Sequence, residues 1–418
     1  MRGPPGGGFR PPPLPLPVRA GLRAWRALGR AGLARVALDE ESLLAAARRR
    51  SGLERLGDEP FREPLRRLLA SAEGEADLHP LGRLILRQSL VRALVNRLRL
   101  EALAERHPEI ARQAVEAPVF IVGLQRTGTT LLHRLLTCDP QLRPLLAWEA
   151  LNPAPFPQDG ARGGRDPRMR VAEAAERGLR YLAPGFFAIH PVEAHAPEED
   201  VLLIDASFAS PTVDATLQVP TYSAWLRGSD QRPSYRFFRR LVQLLLWQRP
   251  GRYLGKTPHH LEFLDALLAV FPDARVIQTH RDPMRVVASY CSMMGHGRAL
   301  FSDRVDAVGL GREIGERALG AVTRAMQVRD GADTCAFADV AYRDLVADPL
   351  KQGRRIYDFL GLSLPAGTEA AMQRWLADNP QGRHGVHRYR LEDFGLDPAR
   401  LSPLFDPYRR RFGVESEP

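Results

Sequence analysis

The most constraining feature of this sequence is a short apolar run followed directly by a glycine-containing turn. The run, Val119–Gly123 (VFIVG), is followed by the segment LQRTGTT, and Thr129–Leu136 then has the pattern of a helix. Gly123 and Gly128 let the backbone turn sharply, so that successive N–H groups can point at an anion beside the start of the helix. A strand–loop–helix unit of this kind predicts a phosphate-binding loop.

The loop differs from that of the P-loop nucleoside triphosphatases. Those proteins place a lysine directly after the second glycine to reach the terminal phosphates, and a serine or threonine next for magnesium. Here Thr129 stands in the lysine position and the cation, Arg126, lies inside the loop. The loop is therefore expected to bind a phosphate without the triphosphate–magnesium apparatus, through the candidate residues Gln125, Arg126, Thr127, Gly128, Thr129 and Thr130.

The same alternation of strand and helix recurs along the chain. Strands are predicted at 253–255, 274–279 and 334–338, and helices at 260–271, 283–294 and Pro349–Leu360. Strands that alternate with helices indicate βαβ units and a mostly parallel sheet. The predicted fold class is α/β, with a P-loop-type doubly wound parallel sheet, helices on both faces and a helical N-terminal region.

Three regions are predicted along the chain. Residues 1–38 form a Gly/Pro-rich and basic amphipathic extension, expected to be disordered at its start, residues 39–116 form a helical region, and residues 117–418 form the α/β domain. Within that domain an insertion at about 140–250 stands out, because 13 of the 31 aromatic residues lie in 148–253. The aromatics fit a packed helical core, an apolar acceptor pocket, or both.

The charge of the chain is unevenly distributed. The formal net charge is +10, but the first fifty residues alone hold ten arginines against Asp39, Glu40 and Glu41. The rest of the chain is close to neutral, so no nucleic-acid partner is expected. Residues 18–37 could form a solvated helix, a helix in weak contact with a membrane surface, or a transit-type presequence.

Cysteine usage and hydropathy point to a cytoplasmic protein. Three widely spaced cysteines predict neither a disulfide framework nor a zinc site, and no metal is expected. No apolar run approaches the roughly 18 residues that a membrane span requires.

A second anion site is predicted after the strand at 274–279. Arg281 offers a fork of N–H donors, and Ser289 follows eight residues later on the helix that begins near Pro283. A separate observation concerns lysine, which occurs only at Lys256 and Lys351 in a chain that otherwise uses arginine.

Taken together, these motifs resemble the 3′-phosphoadenylyl-sulfate (PAPS)-dependent sulfotransferases. GLQRTGTTLLHRLL is similar to the family's 5′-phosphosulfate loop, with Gln125 where proline is usual and Thr127 where serine is usual. VIQTHRDPMRVVASY is similar to its 3′-phosphate motif. GKTPHHLEFLDALLAVFPDARVI and HRYRLEDFGL resemble segments of the bacterial branch that is related to the tyrosylprotein sulfotransferases, so the resemblance spans about 118–412.

The resemblance implies sulfuryl transfer from PAPS to a hydroxyl, or an amine, of an acceptor, with release of adenosine 3′,5′-bisphosphate. It places Arg126 and Lys256 on the phosphosulfate, Arg281 and Ser289 on the 3′-phosphate, and Arg383 above that phosphate. The aromatic enrichment favours a small apolar or lipid-like acceptor, and small glycans remain open.

The resemblance also supplies candidates for the general base. Glu149 matches the catalytic glutamate of the tyrosylprotein branch. His195 or a nearby carboxylate is the next candidate and comes from the residues themselves, although the Glu198–Asp200 cluster after Pro197 is also typical of capping at a helix start. His259 and His260 fall three and four residues after Lys256, whereas the cytosolic members use a histidine two residues after the equivalent lysine.

Two other functions remain open at this point. A P-loop kinase or nucleoside triphosphatase would share the fold, although the loop lacks the expected lysine. A non-catalytic anion-binding protein would use the basic N-terminal segment on nucleic acid or membrane.

Overall fold

The computed structural model describes residues 9–11, 13–30, 36–57, 60–156, 164–380 and 390–417. Within them the centre is a parallel five-stranded sheet of order β2-β3-β1-β4-β5. The strands are β1 (Val119–Gly123), β2 (Leu142–Pro144), β3 (Arg252–Lys256), β4 (Arg275–His280) and β5 (Phe337–Ala341).

Helices precede the sheet, connect its strands and follow it. The first group is α1 (Leu16–Arg30), α2 (Glu40–Ser51), α3 (Arg62–Gly74), α4 (Pro80–Arg106) and α5 (Glu109–Arg112). Between β1 and β3 lie α6 (Thr129–Leu136), α7 (Ala147–Leu151), α8 (Pro167–Leu182), α9 (Pro184–Ile189), α10 (Val201–Ile204), α11 (Pro211–Thr216), α12 (Pro220–Gly228) and α13 (Arg232–Gln248). The remainder are α14 (Leu264–Val270), α15 (Pro283–Arg298), α16 (Ala307–Asp330), α17 (Tyr342–Ala347), α18 (Pro349–Leu360), α19 (Ala366–Asp378), α20 (Pro398–Leu401) and α21 (Asp406–Phe412).

The central strand β1 shows why helices cover both faces of the sheet. All five of its residues are buried, and successive side chains of a strand point to opposite faces. Phe120 and Val122 belong to a large hydrophobic cluster with helices such as α13 and α15. Val119 and Ile121 belong to a second cluster with α6, α18 and α19. The predicted doubly wound α/β fold is confirmed.

The N-terminal helices pack into the larger of these clusters. Leu43 of α2, Leu68 of α3 and Leu94 of α4 are buried in the same cluster as Phe120. Asp39 directly precedes α2, and its side chain accepts a hydrogen bond from the Ser42 N–H at 2.8 Å, as an N-cap residue does. The predicted helical region therefore packs against the sheet domain.

Some local predictions differ from the structure. Strand β2 was not predicted, and β5 begins at Phe337, three residues later than expected. The helix predicted at 260–271 is divided into a 3₁₀ turn, Pro258–Leu261, and the helix α14. None of the helices in the described part of the chain is both long and apolar enough to cross a membrane.

Candidate active site

The parallel register brings the carboxyl ends of β1, β3 and β4 to one edge of the sheet. Ile121 of β1 pairs with Lys256, the last residue of β3. Gly123 of β1 pairs with Thr279 of β4. The loop after β1, Lys256 and the HRDP segment after β4 consequently meet where open α/β folds bind their ligands.

Glycine is required at both ends of the loop. Gly123 has φ +149° and Gly128 has φ +92°, in the region that side-chain-bearing residues rarely adopt. A Cβ on Gly123 would lie 2.4 Å from the Thr279 hydroxyl oxygen, and one on Gly128 would lie 2.9 Å from Leu345. Arg126 also has a positive φ of +66°, a strained conformation that costs on the order of 1 kcal/mol and is typical of functional sites.

The loop is fastened to β4 by a buried threonine. The Thr127 hydroxyl lies 2.6 Å from the Leu124 carbonyl oxygen and 2.6 Å from the Thr279 hydroxyl. Its side chain therefore shapes the loop. Gln125 is buried beside a small cavity that Tyr290 and Arg317 also line.

Helix α6 begins directly after the loop, so the positive end of its dipole faces the site. Thr129 is buried and Thr130 is exposed in its first turn. The Lys256 ammonium lies 3.5 Å from the Thr130 hydroxyl, at the outer limit of a hydrogen bond. Lys256 is only 2 % exposed, so its charge is held in a protected position beside the helix start.

The main partner of Lys256 is Glu199. The Lys256 Nζ lies 2.7 Å from Glu199 Oε1, and the Thr257 hydroxyl donates to Glu199 Oε2 at 3.1 Å. Burial acts to raise the pKa of Glu199, but Lys256 and then His190 outweigh it and lower the pKa to about 2. Glu199 is therefore ionised at neutral pH.

The positive charge of Lys256 also affects the pKa of a neighbouring histidine, His133. Burial, reinforced by Lys256, lowers the pKa of the fully buried His133 of α6 to about 3. His133 is consequently neutral at physiological pH.

The residue that follows Glu199 is anchored in a buried network. Asp200 accepts from the Tyr253 hydroxyl at 2.7 Å and lies 3.1 Å from His260 Nε2, and its N–H donates to the Lys256 carbonyl. Tyr235 in turn bonds the other ring nitrogen of His260 at 2.9 Å. This network fixes the backbone on both sides of the Lys256–Glu199 pair.

The second predicted anion site lies next to the loop. Arg281 Nη1 donates to the Arg126 carbonyl oxygen at 3.1 Å, and its guanidinium stacks 4.0 Å from the Tyr342 ring centroid. It also forms an ion pair with Glu417. Ser289 is buried on α15, the helix that begins just after Arg281.

Comparisons with known proteins agree with this geometry. The model of a group described as "Sulfotransferase family" matches residues 118–366, more than half of the chain. The chain belongs to the sulfotransferase family. The loop, β3, Lys256 and Arg281 all lie inside the matched segment, and the prediction of a PAPS-dependent sulfotransferase is confirmed.

One curated relative and two solved structures from mycobacteria show the similarity in detail. This sulfotransferase is 26 % identical over 309 residues to the omega-hydroxy-beta-dihydromenaquinone-9 sulfotransferase Stf3 of Mycobacterium tuberculosis, covering 70 % of this chain and 75 % of Stf3. It is similar to the crystal structure of STF9 from Mycobacterium avium, with TM-score 0.83, 31 % identity and coverage of 91 % of this chain and 98 % of that one. For STF1 from Mycobacterium tuberculosis the TM-score is 0.78 with 33 % identity, over 89 % of this chain and 100 % of that one.

Glu149, the first sequence candidate for the base, has structural partners in this sulfotransferase. Its carboxylate pairs with Arg143 through contacts of 2.6 and 2.9 Å and accepts from the Leu146 N–H at 3.0 Å. Both partners of the ion pair are buried. These contacts cap α7 and tie it to β2, so a catalytic role for Glu149 stays a prediction that its surroundings do not favour.

The other base candidates are also engaged elsewhere. His195 is exposed, with Nε2 2.7 Å from Glu173 of α8. His259 contacts Glu262 and Arg317, and His260 belongs to the Asp200 network. Arg383 lies outside the described residues.

Sequence reasoning did not single out Glu199. The acidic cluster at 198–200 was recognised, but its most economical interpretation was capping of the following helix. The available signal was the combination of that cluster with an isolated lysine, and only the fold shows that the two meet.

Proposed function

We propose that this sulfotransferase transfers the sulfuryl group to the hydroxyl of an apolar, lipid-like acceptor, with Glu199 as the general base. The observation that carries the proposal is the ion pair, at 2.7 Å, between the buried Lys256 and the partly buried Glu199 beside the start of α6. This pair places two groups next to the phosphate-binding loop: a cation that can stabilise the leaving group and a carboxylate that can accept the proton of the acceptor hydroxyl. We also place the enzyme in the cytoplasm, since its three cysteines are free.

The phosphosulfate end of PAPS fits the residues around the loop. Gly123 and Gly128 let the backbone form a cradle, the α6 dipole favours an anion, and Arg126 and Lys256 are the cations at its rim. PAPS supplies an activated sulfuryl group whose transfer leaves a phosphate. Arg126 and Lys256 would stabilise the charge that develops on that leaving oxygen.

The 3′-phosphate end fits Arg281. Its guanidinium can offer paired N–H donors to a phosphate, as it now does to the Glu417 carboxylate. Its bond to the Arg126 carbonyl keeps this site at a fixed distance from the loop. In the proposal, Ser289 and Arg383 complete the 3′-phosphate site, as the family resemblance implies.

The acceptor side is supported by α9, which belongs to the predicted insertion. The Arg126 Nη1 donates to the Ile189 carbonyl at 3.4 Å, so α9 lies next to the loop. Phe186 of the same helix is half-buried and packs against Gly297 of α15. An apolar helix beside the loop suits a hydrophobic alcohol, and Stf3 is named for such a substrate, a hydroxylated menaquinone derivative.

Glu199 would remove the acceptor proton as the new bond forms. The hydroxyl oxygen attacks sulfur, the bond from sulfur to the phosphate oxygen breaks, and the hydroxyl proton passes to a Glu199 oxygen. The low pKa of Glu199 depends on Lys256. Because a bound phosphosulfate shares that positive charge, the pKa of Glu199 should rise when the donor binds, which makes it a better base.

The test compares Glu199→Gln with Glu149→Gln. Labelled PAPS and the purified protein are incubated with a lipid extract and, separately, with a water-soluble extract, and the sulfated products are measured by mass spectrometry alongside the affinity for adenosine 3′,5′-bisphosphate. The expected result is a loss of turnover of about 100-fold or more in Glu199→Gln with affinity retained. Full turnover in Glu199→Gln would exclude it as the base, and sulfation of only water-soluble acceptors would exclude the lipid-like substrate.

A further inference from the structure

Helix α1 is attached to the rest of the protein along one side. Leu22 is buried, Arg26 forms an ion pair with Asp303, and the helix packs against α4. Before the helix, the Phe9 ring packs between His296 and Phe394, at centroid distances of 5.2 and 5.1 Å. These contacts determine which side of α1 faces outward.

The outward side combines apolar and basic residues. Leu16 is 73 % exposed and Leu28 is 50 % exposed, so both belong to the few large hydrophobic side chains that are exposed in the described part of the chain. At about 100° per residue, the exposed positions cover roughly half of the helix surface, with Arg19 at one edge, Leu28 at the other and alanines between them. We call them the outer face of α1: Leu16, Arg19, Ala20, Arg23, Ala27 and Leu28.

The outer face has one sign of charge. The sequence of α1, LPVRAGLRAWRALGR, contains no acidic residue that could neutralise Arg19 or Arg23. Small alanines between the leucines would let the helix axis approach a flat surface. Basic residues beside an exposed apolar stripe are the arrangement found in helices that lie in a bilayer interface.

We propose that the outer face of α1 binds the surface of an anionic lipid bilayer and lies parallel to it. Arg19 and Arg23 would contact the lipid phosphates, while Leu16 and Leu28 would enter the boundary between headgroups and acyl chains. A nucleic acid would match the arginines but would leave both leucines in water, so the apolar residues favour the membrane. The proposal does not rest on the acceptor assignment, because binding is tested without turnover.

The test uses the full chain in sedimentation with two kinds of vesicle, phosphatidylcholine alone and phosphatidylcholine with phosphatidylglycerol. The protein is expected to bind the anionic vesicles more tightly. Arg19→Glu/Arg23→Glu should weaken that binding about tenfold or more, and Leu16→Ser/Leu28→Ser should weaken it by a smaller factor.

A matched control variant reverses the charge of two other exposed arginines, away from α1. Arg374 and Arg400 are exposed on α19 and α20, and Arg374→Glu/Arg400→Glu should bind as the wild type does. Circular dichroism and nucleotide affinity check that each variant is folded. Equal vesicle binding by all variants would overturn the proposal, and so would binding to duplex DNA that survives replacement of both leucines while vesicles are not bound.

Discussion

The carboxylate of Glu417 holds the guanidinium of Arg281 through two hydrogen bonds of 2.8 Å, one from Nε and one from Nη2. The Glu417 N–H also donates to Asp282 at 3.0 Å, which fixes the segment against the start of α15. A carboxylate in this position uses the same donors that we assign to the 3′-phosphate of the nucleotide.

We therefore expect Glu417→Gln to bind adenosine 3′,5′-bisphosphate more tightly, by about threefold to tenfold, because the uncharged amide competes less well for Arg281. Isothermal titration calorimetry measures the change. Glu415→Gln is the control, since Glu415 pairs with the exposed Arg343 at the surface. Unchanged or weaker affinity in Glu417→Gln would show that the two anions do not share the Arg281 site.

Replacing Lys256 should affect chemistry more than binding. Lys256→Met removes the cation beside Thr130, and we expect kcat to fall about 100-fold to 1,000-fold, as happens when one donor to a developing oxyanion is lost. The variant Lys351→Met alters the other lysine, which is exposed at the start of α18, and should retain full activity. Steady-state kinetics with PAPS would contradict the assignment if both variants had the same kcat.

The Arg143–Glu149 pair should be important for stability. Glu149→Gln leaves the buried Arg143 without a counter-charge, and removal of one partner of a buried pair typically costs about 3 kcal/mol of unfolding free energy or more. Urea unfolding measures this loss, and turnover per folded molecule should remain near that of the wild type. The opposite pattern, unchanged stability with lost turnover, would favour Glu149 as the base.

The buried carboxylate of Glu262 should make the free energy of unfolding depend on pH in the acidic range. Burial tends to raise the pKa of Glu262, but Arg317, with a contact of 2.8 Å, and His259 lower it from 4.5 to about 2. Because the folded pKa lies below the unfolded one, the stabilisation is complete above pH 4.5 and is lost as the pH falls toward 2. This lowering of the pKa corresponds to an unfolding free energy on the order of 3 kcal/mol.

Urea unfolding between pH 6 and pH 3 checks this expectation. The stability of Glu262→Gln should fall less steeply in that window than that of the wild type. Glu63→Gln, at an exposed position of α3, should follow the wild-type curve. Parallel curves for all three proteins would show that Glu262 does not control the acid response.

The predictions from sequence were most accurate where structure depends on neighbours in the chain. The helices Thr129–Leu136 and Pro349–Leu360 lie at the predicted residues, because a glycine loop sets the start of one and Asp348 caps the other. Strand β2 was missed, since three residues ending in proline carry no recognisable strand pattern. The helix expected at 260–271 breaks near Phe263, where φ is −130°, and His260 is held instead by Asp200 and Tyr235.

In the candidate active site, too, only the features that depend on neighbouring residues in the chain could be predicted. Glycines, Arg126 and Arg281 could be identified because their motifs are continuous in sequence. The partner of Lys256 lies 57 residues away, and the partner of Glu149 is an arginine whose burial depends on β2. Such pairings follow from packing over long sequence distances, which a local pattern does not contain.

Because lysine is so rare in this protein, a reagent that reacts with amines can report on the active site. Apart from the terminal amine, a reagent that acylates amines can modify only Lys256, which is buried, and Lys351, which is exposed. The labelling rate of Lys351 therefore serves as the internal reference for an exposed amine. The labelling rate of Lys256 relative to that reference reports how often its side chain separates from Glu199. A single mass spectrum could thus follow opening of the site as donor or acceptor is added, without any engineered label.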